Sequence, residues 1–319
     1  MIRLAIACCI GIATLTLGGS DGWAQTRTVR IVVPFGPGGG PDTIARVLGE
    51  QIAKARGVTV VVENRAGAGA IVATDAVLRA APDGNTLLIV APSFLINPHV
   101  RKVAFNPLTD FDPICHLVSA PPVFAVPPSS PHRTIGDLLE AARGKAGAVT
   151  VGGPGSASTR HIIFEALKGA TKIDMTYVPY PTTPPAVAAA LGGHVTAVLS
   201  DYASLAPQLK GGQLRPLAVA SASRMDVLPE VPTLAEAGHS GLAFDIWFGV
   251  VAPAKTPKPM TDELIAWFRT ALEDANVKAR LSDIRMMPVG RCGAEFAAHL
   301  RREYDAFGRI IREAKISVK

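Results

Sequence analysis

Two segments of the 319-residue sequence gather residues that can hold an anion. The first is Pro34-Phe35-Gly36-Pro37-Gly38-Gly39-Gly40-Pro41-Asp42-Thr43. The second runs from Gly152 to Thr159 and carries hydroxyls at Ser156, Ser158 and Thr159. Each follows a β-rich apolar run and opens a helical pattern. A helix N-terminus exposes unpaired N–H groups and bears about half a positive charge. Glycine lets a ligand approach that backbone closely, and hydroxyls bond carboxylate oxygens without adding charge. Thr182 and Thr183 begin a third such turn. Asp201 follows the strand Val195–Leu199. It can hold an amine or hydroxyl of a ligand, or cap the helix after it. The chemistry on offer is capture of a small anion. Tight turns between strand and helix would use the same residues, so this pattern leaves both readings open.

Motifs for covalent or cofactor chemistry are weak. Gly18-Gly19-Ser20-Asp21-Gly22 matches G-x-S-x-G, but no helix follows it to build a nucleophile elbow. Pro41 breaks the dinucleotide fingerprint, and Glu63 is only an approximate candidate for the ribose-binding acid. The histidines show no metal-binding spacing. No cofactor, no metal and no enzyme activity are expected. A hydrolase or lyase using Asp42, His161 and Asp201 is an alternative that spacing alone does not support.

The elements that must position these loops alternate. Val29–Pro34, Val58–Val62 and Thr86–Val90 read as strands; Asp42–Ala55 and Ile71–Ala80 read as helices. This βαβαβ series implies a parallel, doubly wound sheet. A second series follows. Its strands are Val123–Val126, Val149–Val151, Met175–Val178, Val195–Leu199 and Leu214–Ala220. Its helices end at Ala142 or run over Thr159–Lys168, Pro185–Leu191 and Tyr202–Lys210. Thr134 and Asp137 form a capping box for the first of them. Phe244–Val251 is a further strand, and helices at Met260–Ala275 and Ala294–Ala314 close the chain. The plan is two α/β halves, with Val123–Val126 and Phe244–Val251 as crossing strands that can hinge.

Residues Met1 to Ala24 read as a secretory signal: Arg3, then an apolar run to Leu17, then Gly22-Trp23-Ala24 for the peptidase. Hydrophobic residues at 48% and charged residues at 18% exclude a disordered chain. The net charge of +6 is spread without a basic block, which favours small anionic partners over nucleic acid. Cys8 and Cys9 leave with the signal. Cys115 and Cys292 can pair in an oxidising compartment or stay as packed thiols.

Further segments carry a resemblance: PFGPGGGPDTIAR (Pro34–Arg46), VVENRAGAGA (Val61–Ala70), APDGNTLL (Ala81–Leu88), DFDPI (Asp110–Ile114), VPY (Val178–Tyr180), LKGGQLRPLAV (Leu209–Val219), LPEVPTLAEAG (Leu228–Gly238) and WFGVVAPAKTP (Trp247–Pro257). In this order they resemble the extracytoplasmic solute receptors of the tripartite tricarboxylate transporters, the Bug family. The resemblance implies an α/β, two-lobed periplasmic binding protein type II fold. Each lobe would be a mostly parallel sheet flanked by helices, with a ligand cleft between them. Residues 1–24 would be the signal, 25–124 plus 248–319 the first lobe, and 125–247 the second.

It also implies periplasmic capture of a di- or tricarboxylate, an aromatic acid or an amino acid for a membrane permease, by a monomer. Phe35, Gly38, Gly39, Gly40 and Ser93 would hold the ligand on the first lobe. Ser156, Ser158, Thr159, Thr182 and Asp201 would hold it on the second. A ligand-sensing subunit of a two-component system is an alternative on the same fold. Two departures stand out. Pro41 replaces a usual Thr or Ser, and Pro181 a usual Lys.

Overall fold

The computed structural model describes residues 26–155 and 158–316. The signal segment 1–24 and Ser156 lie outside the described residues.

Eleven named strands form two sheets. The first sheet holds β1 (Thr28–Val33), β2 (Thr59–Asn64), β3 (Thr86–Val90), β4 (Phe111–Ala120), β10 (Ile246–Pro253) and β11 (Met287–Cys292), in the order β11-β4-β10-β3-β1-β2. The second holds β5 (Pro122–Val126), β6 (Thr150–Pro154), β7 (Thr176–Tyr180), β8 (Ala197–Asp201) and β9 (Arg215–Val219), in the order β7-β6-β8-β5-β9. The expected parallel pairing holds among β1, β2 and β3 and among β6, β7 and β8. The remaining pairs are antiparallel, so both sheets are mixed.

The crossing strands differ from expectation. β5 lies wholly in the second sheet and β10 wholly in the first. The chain changes sheet at Pro121 and again before Ile246. β10 returns antiparallel between β3 and β4, which is why the first sheet is not uniformly parallel.

Helices cover both faces of the first sheet. Helix α1 (Gly40–Arg56) buries Ile44, Val47, Leu48 and Ile52 and stops at Gly57, whose φ of 65° is left-handed. It packs with α8 (Lys258–Glu273) and α9 (Ala275–Asp283) on one face. Helices α2 (Ile71–Leu78), α3 (Pro92–Val100) and α10 (Ala294–Glu313) take the other. The second sheet carries α4 (Ile135–Gly144), α5 (Thr159–Thr171), α6 (Thr183–Leu191) and α7 (Tyr202–Lys210). The Thr134–Asp137 capping box of α4 is present in both directions. Helix α10 packs on α3 and also on α5, so one apolar cluster runs from Phe94 through Phe296 and Phe307 to Phe164. Its close approach to β10 needs Gly249, where an added Cβ would lie 2.3 Å from the Phe296 ring.

Cys115 and Cys292 are disulfide-bonded, opposite one another in β4 and β11 and 177 residues apart. Beside them the seam between the sheets buries a polar group. Trp247 is fully buried and donates its Nε1–H to Glu303 at 3.0 Å. Ser119 Oγ lies 3.2 Å from His116 Nε2 and hydrogen-bonds the Asp245 carboxyl. The His116 and His299 rings stack at 4.7 Å. Burial penalises every charged form here. It pushes Glu303 up to about 7 and Asp245 up to about 6. It pushes His116 down to about 3, with help from His299, and His299 down to about 4.

Two outcomes are expected from thermal unfolding across pH. A buried carboxyl with a raised pKa binds its proton more tightly when folded, so it lowers stability as pH rises from 4.5 to about 7. Glu303→Gln should therefore gain on the wild type over that range and hold its gain above it. His299 has the opposite sign, and His299→Gln should gain on the wild type as pH falls from 6.5 to about 4. Parallel slopes for variants and wild type would contradict both. Separately, reducing the Cys115–Cys292 bond should cost about 2–5 kcal/mol in denaturant unfolding.

Candidate ligand cleft at the carboxyl ends of the strands

A helix joined to the preceding strand by a short turn starts at that strand's carboxyl end. In the first sheet this rule sets the N-termini of α1 and α3 beyond Val33 and Val90. In the second it sets those of α5, α6 and α7 beyond Pro154, Tyr180 and Asp201. Open α/β sheets bind ligands at these ends.

The first-sheet loop is shaped by one buried aspartate. Asp42 accepts from the Gly38 amide at 2.9 Å, from Asn64 Nδ2 at 2.9 Å and from Arg46 Nε at 3.1 Å. Hydrogen bonding from Arg46, against the cost of burial and with help from Gly38 and Asn64, holds its carboxyl down to about 2. Gly38 turns with a φ of 81°, which favours glycine. Its amide was expected to face the ligand, but it is spent on Asp42. Gly39 is the N-cap of α1, and Gly40 is its first residue. Pro41 supplies no N–H there. Phe35 gives its carbonyl to Asn64 and sets its ring edge-on to Phe248 at 6.3 Å. Ser93 stands in the first turn of α3, and its buried Oγ has no hydrogen-bond partner among the described residues.

On the second sheet, Ser158 caps α5 by accepting from the His161 amide. Thr159 is buried in the same turn. Thr182 is exposed as the N-cap of α6. Thr183 is buried and shares a 2.7 Å hydrogen bond with Ser200. Asp201 caps α7 through the Ser204 amide at 2.9 Å and binds Arg160 Nη2 at 2.6 Å. Burial alone would raise its pKa; the Arg160 charge and the Ser204 hydrogen bonds outweigh burial and hold it below the ordinary value. His161 stacks on Tyr177 at 4.5 Å and lies 3.6 Å from Glu165. Trp247 is fully buried in the core.

The two halves of the chain meet beside Tyr202. An added Cβ at Gly40 would lie 2.9 Å from Met286 Cε. Met286 and Tyr202, which follows Asp201, line one cavity of about 680 Å³ with Lys210, Met225, Arg285 and Met287. Arg285 reaches over the Tyr202 ring at 6.0 Å. A cavity of about 820 Å³ lies elsewhere, at the last turns of α5 and α10. Helix C-termini present carbonyls there, which suits an anion poorly. Among the described residues, no cluster of three or more His, Cys, Asp or Glu could hold a metal. No helix among them is long and apolar enough to cross a membrane.

Residues 44–316 match the tripartite tricarboxylate transporter family receptor, TctC. The chain belongs to this family. It is 29% identical to protein BugT of Bordetella pertussis over 324 residues, covering 100% of this chain and 99% of that one. The solved R. palustris protein Rpa4515 with adipate is 29% identical, covers 92% of this chain and 99% of its own, and superposes with a TM-score of 0.76. MatC from Rhodopseudomonas palustris with bound malate is 30% identical, covers 90% of this chain and 99% of its own, and has a TM-score of 0.71. The TctC receptor fold is thus two-lobed and its receptors are periplasmic.

Sequence reasoning missed Arg46, Asn64 and Arg160. Arg46 was open to discovery, since it follows Asp42 by four residues on one helix. Arg160 was not, because its partner lies 41 residues away. Asp42→Ala should cost about 1–3 kcal/mol of stability near neutral pH. The difference from wild type should shrink as pH falls from 3.8 to about 2, where the wild-type carboxyl is itself protonated. Equal stability of the two proteins near neutral pH would show that this loop does not depend on Asp42.

Proposed function

We propose that the protein is a periplasmic receptor that captures a small organic carboxylate between its lobes and delivers it to a tripartite tricarboxylate-type permease. The lobes are residues 26–121 with 245–316, and residues 122–244. Two features support this reading: helix N-termini stand at the carboxyl ends of strands in both sheets, and residues of both lobes, Tyr202 and Lys210 with Met286 and Met287, line one cavity. Oriented N–H groups and hydroxyls neutralise a carboxylate without a fixed cation. The R. palustris relatives solved with adipate and malate support the ligand class.

Ligand shifts the equilibrium toward the closed form only by its differential affinity for that form. Closure then presents a changed outer face to the permease. Binding without chemistry suits the residues available. Asp42 and Asp201, candidates for acid–base work, are each committed to an arginine and a backbone amide. The protein acts as a monomer, exported by a leader that is cleaved near Ala24.

Differential scanning fluorimetry against adipate, malate, citrate, benzoate and L-glutamate tests this function. At least one acid should stabilise the protein by about 2.7 kcal/mol at a hundredfold excess over its Kd. Proton NMR of the same mixture should show the acid unchanged. Turnover of the acid, or no stabilisation by any carboxylate in a wider library, would overturn the receptor reading. Mass spectrometry of the exported protein should find its first residue close to Gln25.

A further inference from the structure

The chain passes between the sheets twice, and the two passages run side by side. On the second-sheet side, the Pro121 carbonyl accepts from the Tyr202 amide at 3.0 Å and the Pro122 carbonyl from the Ala220 amide at 2.9 Å. The Phe244 amide donates to the Ala220 carbonyl at 2.7 Å. On the first-sheet side, Ile246 pairs with Ala120 and Trp247 with Ser119. Asp245 lies between these two grips, on the returning passage. Lobes that turn against one another change their dihedrals in such a segment. One side-chain hydrogen bond joins the passages: Ser119 Oγ donates to the Asp245 carboxyl.

That bond is a meagre supply for a charged group. A carboxylate offers about four acceptor positions. Asp42 and Asp201 fill theirs with an arginine, a backbone amide and further donors. Asp245 has Ser119 alone among the described residues, and its Oδ1 is buried without a partner. His116 Nδ1 and His299 Nε2 are also buried and unpartnered there. His116 is 2% exposed and His299 9%. Every element packed here contributes. β4 brings His116 and Ser119, and β11 brings Arg291, which pairs with His116 in register. α10 brings His299, Arg302 and Glu303, and β10 brings Trp247, which donates to Glu303. Burial outweighs both the Ser119 bond and the Arg291 charge at Asp245, pushing it up to about 6. Both histidines stay neutral over the range in which Asp245 titrates.

We infer that Asp245 is a protonation switch at the hinge: the uncharged carboxyl holds the two passages in the arrangement described, and the carboxylate drives the lobes to an arrangement in which it meets water. The proton leaves to solvent. In the wetter arrangement the carboxyl has its ordinary pKa of 3.8. The described arrangement is therefore favoured at low pH and loses that advantage as pH rises from 3.8 through about 6. This inference goes beyond the receptor reading, because the hinge moves with pH whether or not an acid is bound.

Double electron–electron resonance on the ligand-free protein tests it, with spin labels at Lys54→Cys on α1 and Glu140→Cys on α4. Between pH 4.5 and 7.5 the wild-type distance distribution should pass from one population toward a second. The ratio of the two should change by up to about a hundredfold, the limit set by a pKa that moves from 3.8 to about 6. Asp245→Asn should keep the low-pH population throughout. Ser119→Ala should move the midpoint to higher pH, because the lost hydrogen bond favours the charged form. Glu303→Gln should still shift. A wild-type distribution that is constant across pH would overturn the inference, as would a shift that survives Asp245→Asn or vanishes in Glu303→Gln. If Asp245→Asn fails to fold, the wild type, Ser119→Ala and Glu303→Gln still decide. The measurement uses no ligand, so a constant wild type leaves the receptor reading standing, and a failed carboxylate screen leaves the switch standing.

Discussion

The short turn from each parallel strand into the helix after it is the constraint on which the molecule depends. Chain connectivity alone starts such a helix at the strand's carboxyl end, with its unpaired N–H groups there. Applied twice, once in each sheet, the rule gathers positive helix ends along two edges. Packing then couples the two halves: α10 lies against α3 of the first and α5 of the second, and the Cys115–Cys292 bond fixes its leading strand β11 to β4. Each edge carries a positive potential before any charged side chain is counted.

Much of this was legible in the sequence. The glycine loop after Val29–Pro34 and the runs Thr86–Val90 and Tyr202–Lys210 sit where periodicity and turn chemistry put them. The elements missed share a cause. β4 contains Pro113, His116 and Ser119, and β11 contains Pro288, Gly290 and Arg291. Neither reads as a strand, because the seam and the sheet edge override local propensity. α3 begins with Pro92 and carries Pro98 inside, which hides a nine-residue helix. At the site, residue types were visible and their allegiances were not. Nothing in a linear pattern shows that the Gly38 amide turns inward to Asp42, or that Arg160 spans from α5 to the end of β8.

The seam itself is an unusual place to keep polar groups. Asp245, Glu303, His116 and His299 lie against Trp247, Phe296 and the rest of the apolar cluster, and burial drives all four toward their neutral forms. Neutral partners can share hydrogen bonds without the desolvation cost of an ion pair. The Trp247–Glu303 contact ties β10 to α10 just after the chain returns to the first sheet. Apolar side chains could fill the same volume, but they would not fix the angle at which the strands leave.

The position of β10 also orders events in time. It emerges after the whole second sheet, yet it lies between β3 and β4 in the first. A chain that emerges N-terminus first can therefore assemble residues 122–219 into a complete sheet while the earlier sheet still lacks β10. The lobe that begins the polypeptide is the last to be finished.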